Sequence, residues 1–193
     1  AGVGVVFEPP GCSPFYDPNC TITTVYVSGT ADSIGTAYLM NGGAIRVGAN
    51  STGVEITGVA ANEQGPQLVN TGTISAGSGT AIRLNAGNDI DSYLINVGQI
   101  TGDIVFGAGD DRLMNRQFVD DFGQLVSTGN ITLYNSTIDF GAGSNRFDND
   151  RGVITVAGGD NLITGADLFM TQASIEARND VVGSRLTIDG NLS

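Results

Sequence analysis

The 193-residue chain carries 20 acidic and 8 basic side chains, a formal net charge of −12, and it contains no histidine. Contacts to phosphate groups need Lys and Arg, so a chain this acidic is not expected to bind nucleic acid or anionic membrane surfaces through its charge. The lack of histidine excludes Ser-His-Asp and Cys-His catalytic sites built from this chain alone. No apolar run reaches the length of about 20 residues that spans a bilayer, so direct membrane insertion is not expected.

The first 23 residues hold the two cysteines of the chain, Cys12 and Cys20, in a segment rich in proline and glycine. Such a composition predicts a loop. Two cysteines this close in a loop favour a disulfide between them, and with it an oxidising compartment. Two free thiols in a reducing compartment are the alternative. A metal site is not expected here, because no histidine is present to complete the ligand set.

From residue 39 onward the sequence repeats the pattern Asn-x-Gly-x-Ile, with Ser or Asp in place of Asn in two weaker copies. The five copies begin at Asn41, Asn70, Asn96, Ser127 and Asp150, and they lie 29, 26, 31 and 23 residues apart. An apolar pair precedes each of the first four copies: Leu39-Met40, Leu68-Val69, Leu94-Ile95 and Leu125-Val126. Brief apolar–polar alternation follows the repeated Ile, so each period is predicted to hold about three short strands.

Strands this short are not stable alone, and their connections contain no helical pattern. A coil with three strands per turn, stacked so that equivalent strands pair in parallel about 4.8 Å apart, satisfies both conditions. The sequence therefore predicts an all-β fold, a right-handed parallel β-helix of about six to eight rungs over residues 24–193 that continues beyond residue 193. A β-sandwich with a coincidental repeat is the alternative.

The register of this coil can be predicted as well. Asn41, Asn70 and Asn96 should stack as an asparagine ladder, because Asn at a turn can bond to backbone groups. The positions expected to be buried are Ile74, Ile82, Ile100, Ile104 and Ile131, and those expected to point outward are Arg83, Thr101 and Thr132. Residues 1–23 lack the repeat and are predicted to form a disulfide-containing cap, because an open coil end exposes apolar core and unpaired strand edges.

Residues 107–113 read Gly-Ala-Gly-Asp-Asp-Arg-Leu and resemble one unit of a calcium-binding β-roll, which makes Asp110 and Asp111 weak calcium candidates. Such a roll needs consecutive units, and the nearest echo, at residues 141–147, has Ser144 and Asn145 in place of the aspartates. A turn with solvated aspartates is therefore favoured, and no metal or other cofactor is expected. Close carboxylate pairs could also serve a glycosidase, but an exposed acidic turn is the commoner explanation.

Residues 116–123 lengthen their period to 31 residues. Insertions in repeat proteins map to loops, often on the binding face. Phe118 and Phe122 flank Asp120 and Asp121 here, and these four residues are predicted to form an aromatic and acidic contact patch. A local strand that packs back on the coil is the alternative.

Residues 96–113 combine Asn-Val-Gly-Gln-Ile with Gly-Ala-Gly-Asp-Asp-Arg-Leu. This combination resembles the repeats of autotransporter passenger domains, and the resemblance covers about residues 39–163. It implies export through the periplasm and an outer-membrane barrel, followed by secretion or display on the surface of a Gram-negative bacterium. Passenger domains include adhesins, proteases, lipases and toxins, but the Gly-x-Ser-x-Gly motif of esterases is absent from this sequence.

These features predict a non-enzymatic secreted or cell-surface protein that acts in adhesion or self-association. Its partner would be a molecule on a host or neighbouring cell, or a second copy of the chain in a homo-oligomer. A carbohydrate-active β-helix enzyme and a structural filament or surface-layer module are the alternatives. A cleft with two close carboxylates beside Lys or Arg would favour the enzyme, and a single protruding loop would favour the adhesin.

Overall fold

The computed structural model describes residues 25–28, 38–48, 51–57, 67–85, 90–178 and 183–193. All helix or strand structure in these ranges is β-strand. None of them contains a helix that is long and apolar enough to cross a membrane. The predicted disulfide between Cys12 and Cys20, and the cap predicted for residues 1–23, lie outside the described residues.

The strands stack into a parallel β-solenoid of about five turns, with three strand ladders along its length. The first ladder consists of β2 (Tyr38–Asn41), β5 (Gln67–Asn70), β7 (Tyr93–Asn96), β9 (Arg112–Val119), β13 (Asn145–Asp150) and β16 (Ala166–Thr171). The second contains β3 (Ala44–Arg46), the first parts of β6 (Thr73–Asn85) and β8 (Gln99–Phe106), β11 (Asn130–Tyr134), β14 (Val153–Gly158) and β17 (Ser174–Ala177). The third contains β1 (Val25–Ser28), β4 (Thr52–Thr57), the second parts of β6 and β8, β12 (Thr137–Asp139), β15 (Asp160–Thr164) and β18 (Arg185–Asp189).

The predicted all-β class and parallel stacking are confirmed. About five turns are present in the described part of the chain, and the prediction of six to eight rungs covered residues 24–193, which include ranges outside it. One stretch of that sequence adds no turn, because β10 (Leu125–Thr128) leaves the coil and pairs antiparallel with the end of β9.

Apolar side chains fill the coil in continuous ladders. In the second ladder, Ile45, Ile74, Ile100, Ile131 and Ile154 lie in register, one per turn. The third ladder aligns Val54, Ile82, Ile104, Ile138 and Ile163 in the same way. All five isoleucines predicted to be buried have no exposed surface, and Arg83, Thr101 and Thr132 are partly exposed. The predicted register of these two faces is therefore confirmed.

The predicted asparagine ladder is also present, and it is longer than expected. Asn41 donates from Nδ2 to Oδ1 of Asn70, and the same 2.8 Å hydrogen bond links Asn70 to Asn96. It continues from Asn96 to Asn115 and from Asn115 to Asn149, again at 2.8 Å. All five side chains are buried, so each must satisfy its polar atoms inside the protein. They do so along the ladder, and four of them also donate to backbone carbonyls next to it, while Asn149 donates to Sδ of Met170 at 3.4 Å.

The fourth and fifth repeats were placed wrongly by the sequence pattern. Asn115 and Asn149 occupy the ladder positions, whereas Ser127 lies on β10 and Asp150 is exposed at the end of β13. At Asn149 the repeat contains one additional residue, Arg151, which has φ of 55°. The extra residue shifts the glycine by one position, so a fixed Asn-x-Gly spacing selects Asp150 instead of Asn149.

The glycines of the repeat are required by close packing between turns. A Cβ on Gly72 would collide with the carbonyl oxygen of Gly43, and one on Gly98 would collide with that of Gly72. Neither glycine has a positive φ, so the left-handed turn conformation that glycine often supplies is not the reason for them here. At these positions the backbone of one turn lies directly on the backbone of the next, which leaves no space for a side chain.

Candidate functional site

The main irregularity of the coil is a β-hairpin that leaves it after Arg116. The first part of β9 lies in the coil between β7 and β13, where Asn115 pairs with Asn96 and Asn149. Beyond Arg116 the strand continues outward, and Gln117, Phe118 and Val119 pair antiparallel with β10 through an irregular register. The sequence predicted a protruding loop at residues 116–123. The structure instead shows a hairpin at residues 117–128, so the insertion is longer and more regular than predicted.

The hairpin is inserted into one repeat, and the residues on either side of it together complete that repeat. The backbone N–H of Gly129 donates to the carbonyl oxygen of Arg116 at 2.9 Å, so the two ends of the insertion are already in contact. Asn115-Arg116 and Gly129-Asn130-Ile131 together form the motif Asn-x-Gly-x-Ile, divided by twelve residues. A search for the motif in two pieces would have found this, whereas a search for uninterrupted copies selected Ser127.

The turn of the hairpin is held by the Asp120 side chain. Its Oδ1 accepts hydrogen bonds from the backbone N–H groups of Phe122 at 2.9 Å and Gln124 at 2.8 Å. The backbone of Asp120 also bonds in both directions, donating to the carbonyl of Gln124 and accepting from the N–H of Gly123. Gly123 has φ of 76°, a conformation that favours glycine. Asp120 therefore fixes the shape of the turn, while Asp121 is exposed beside it.

Exposed apolar side chains are concentrated on this hairpin. Phe122 is 87% exposed at its tip, and about half of the surface of four other hairpin side chains is accessible: Phe118, Val119, Leu125 and Val126. These five are the majority of the nine large exposed apolar side chains in the described residues. An apolar group on a hairpin that contacts little of the coil is typical of a surface that meets a partner.

The four residues predicted to form a contact patch all lie on the hairpin, but they differ in exposure and in hydrogen bonding. Phe118 and Phe122 are exposed, Asp121 is exposed at the tip, and Asp120 is engaged in the turn. Val119 was not among the predicted patch residues, and Leu125 and Val126 were predicted to lie in the coil as the apolar pair of the fourth repeat. In the structure, Leu113 takes the buried position of that pair, in register with Leu94 and Phe147.

The acidic turn at residues 107–113 links successive turns of the coil. Oδ1 of Asp110 accepts from the backbone N–H of Ser144 at 2.8 Å, and Oδ1 of Asp111 accepts from that of Ser92 at 2.7 Å. Asp111 was expected to be solvated, but it is only 1% exposed. Within the described ranges there is no group of three or more His, Cys, Asp or Glu side chains that could hold a metal ion. These aspartates therefore act as acceptors for backbone groups of neighbouring turns.

Asp111 is the most strongly perturbed ionisable group in this region. Burial raises the pKa of its carboxyl to about 6, and the charges of Asp91 and Asp110 add to the shift against the hydrogen bonds from Ser92. Its Oδ2 is buried and has no hydrogen-bond partner among the described residues. Removing a carboxylate from water disfavours its charged form, so the charged form of Asp111 destabilises this turn at neutral pH.

A shallow groove lies on the outer face of the first ladder. Two adjoining depressions of about 480 and 300 Å³ share Phe169, and their lining includes Arg112, Arg146 and Asp148. Asp148 receives hydrogen bonds from Arg112 on Oδ2 and from Arg146 on Oδ1, and the Arg146 guanidinium stacks over the Phe169 ring at 4.0 Å. Because both oxygens of Asp148 are engaged with guanidinium groups, the groove offers no free acid–base pair at this carboxylate.

Comparison of the chain with models of protein families, with curated proteins and with solved structures found no match.

Proposed function

We propose that this chain belongs to a surface-displayed or secreted β-solenoid that works by contact, and that the hairpin at residues 117–128 is its contact site. The observation that carries the proposal is the cluster of exposed apolar side chains on an insertion whose two ends are hydrogen-bonded to each other. Aromatic side chains dominate the energetics of contact surfaces when they become buried. Phe118 and Phe122 supply two of them on one hairpin.

The rest of the coil supports this choice of site. Its inward positions are occupied by the apolar ladders and are committed to packing. Its outward positions on the second ladder carry mainly short polar side chains, which provide little contact area. The outward row of the first ladder carries larger ones, but Val69, Ile95, Met114 and Phe169 are each only partly exposed. A fold of this kind does not define a function by itself, and the hairpin is the feature that distinguishes this coil from a regular one.

The cellular location is inferred from the repeat. The combination of Asn-x-Gly-x-Ile with Gly-x-Gly-Asp-Asp-x-Leu resembles autotransporter passengers, and the parallel β-solenoid is the architecture that this resemblance implies. We infer export through the periplasm and display on, or release from, a Gram-negative cell. We also infer that the coil is right-handed, as parallel crossover connections almost always are. The partner is a molecule on a host or neighbouring cell, or another copy of the chain.

The proposal can be tested by displaying the chain on a bacterial outer membrane and replacing Phe122 and Leu125 with Ser. The control variant replaces Met40 and Tyr134 with Ser, because these side chains are also more than half exposed but lie on the coil. We expect the hairpin variant to reduce adhesion to other cells, or autoaggregation, by about tenfold or more, in line with the loss of a binding hot spot. Equal adhesion of the hairpin variant and the control would contradict the proposed site.

A further inference from the structure

The two strands of the hairpin carry no charge. Gln117, Phe118 and Val119 on one strand, and residues 124–128 on the other, are all uncharged, although the chain as a whole has a net charge of −12. The outer edge of β10 pairs with no other strand among the described residues. Natural proteins usually protect such an edge with a charge, a proline or a cover, because its free N–H and C=O groups are a template for another strand. Within the described part of the chain this edge has no charge, proline or cover, and only its shortness and the irregular register between Leu125 and Ser127 protect it.

A two-stranded hairpin that projects from its domain is also only marginally stable in water. The hairpin has the antiparallel pairing and the turn bonds of Asp120 to hold it, but its apolar side chains remain exposed. A third and a fourth strand would bury those side chains and satisfy the free edge at the same time.

We infer that the hairpin pairs with the hairpin of a second copy of this chain, β10 against β10, to form a four-stranded antiparallel sheet across a two-fold axis. This inference rests on the proposed function, since it names the partner of the same contact site. A strand that meets its own copy antiparallel across a two-fold axis is self-complementary by symmetry. The uncharged β10 brings no like charges together, which matters for two chains that repel each other overall.

The ends of the hairpin carry complementary charges for this arrangement. Arg116 is exposed at the base, and it forms no ion pair with any described residue. Asp121 is exposed at the tip. Antiparallel pairing brings the base of one hairpin level with the tip of the other. Arg116 lies on β9, so it is separated from the second copy's tip by the two β10 strands, and its long side chain must extend across them toward Asp121. Two such contacts arise from one two-fold axis, and they set both the direction and the register of the pairing.

The interface is small. Stable protein interfaces bury about 1,200 to 2,000 Å² in total, and two short hairpins supply less than that. We therefore expect weak, reversible association in dilute solution, with dissociation constants in the range of about 10 to 1,000 μM. Many copies anchored on one surface would raise the effective concentration and favour the paired state.

Sedimentation velocity over a concentration series, on the soluble chain, tests the inference. Val126→Lys places two positive charges at the centre of the sheet and should weaken dimerisation by more than about tenfold, while Met40→Lys, which adds the same charge to the coil, should change it less than about twofold. Arg116→Glu and Asp121→Arg should each weaken it by about tenfold, because each removes and reverses two symmetric ion pairs. The double variant Arg116→Glu/Asp121→Arg should restore dimerisation to within about threefold of the parent.

A parent chain that stays monomeric at millimolar concentration would overturn the inference, as would a double variant no better than its single variants. Melting curves of all variants identify any that lose the fold. If the chain is monomeric but the Ser variant of the hairpin still reduces adhesion to foreign cells, the contact site stands and only the second-copy partner is wrong. If neither measurement responds to the hairpin, the proposed function fails with it.

Discussion

Replacing Asn115 with Ala should destabilise the protein strongly, although no uninterrupted copy of the sequence motif includes this residue. The Asn115 side chain accepts from Asn96 and donates to Asn149 and to the carbonyl oxygen of Val153, at 2.8, 2.8 and 3.1 Å. At about 1 kcal/mol net for each bond, losing the three hydrogen bonds lowers the free energy of unfolding by about 3 kcal/mol. The change also leaves Oδ1 of the buried Asn149 without its donor, which adds to this loss.

Ser127→Ala is the matched control, because the sequence pattern places Ser127 at the same ladder position. It lies on the partly exposed strand β10, so its replacement should change the free energy of unfolding by less than about 0.5 kcal/mol. Urea denaturation followed by far-ultraviolet circular dichroism measures both variants. For a chain of this size, 3 kcal/mol corresponds to a fall in Tm of about 6 to 12 °C. Equal effects of the two substitutions would refute the asparagine ladder at this turn.

Three further predictions concern the coil. Ile100→Ala should cost about 2 to 5 kcal/mol because Ile100 is fully buried, whereas Thr101→Ala on the outward side should cost far less; equal losses in urea denaturation would mean that the register is wrong. Gly98→Ala should reduce stability by about 1 to 3 kcal/mol through its clash with Gly72, while Gly42→Ala, whose Cβ would have room, should be tolerated better; thermal melting compares the two. The folded-state pKa of Asp111, about 6, lies above the ordinary value of 3.8 for an aspartate, so this group should add up to about 3 kcal/mol of stability as the pH falls from 7 to 4. Asp111→Asn should remove that gain in stability. Parallel curves of stability against pH for the wild-type protein and the variant would argue against a raised pKa of Asp111.

The sequence was most informative where the repeat is regular. The first three asparagines could be placed because no interruption falls within their motifs. The isoleucines of the second ladder could be placed at every turn, because both interruptions fall before the glycine and leave the Gly-x-Ile spacing unchanged. These positions also face the strictest physical constraint, since a one-residue slip would move an apolar side chain to the outside.

Prediction failed where the repeat is interrupted. The hairpin divides one motif between Arg116 and Gly129, and the extra Arg151 shifts another, so the fixed spacing selected Ser127 and Asp150. Leu125 and Val126 matched the apolar pair of earlier repeats, but that pattern alone does not distinguish a buried strand of the coil from an exposed hairpin strand. The burial of Asp111 was likewise invisible in the sequence, because it depends on which turn lies above residues 107–113.

The central claim is that the hairpin mediates contact and is not needed by the coil. Excision of residues 117–128 tests it most directly, because it joins Arg116 to Gly129 and restores an uninterrupted Asn-x-Gly-x-Ile repeat at a point where the two backbones are already hydrogen-bonded at 2.9 Å. We predict that the shortened chain keeps its Tm within about 3 °C, a change of about 1 kcal/mol for a chain of this length, and that it loses adhesion and self-association on displaying cells. A shortened chain that unfolds would show that the hairpin is part of the coil's stability, and one that folds and adheres as before would show that contact occurs elsewhere.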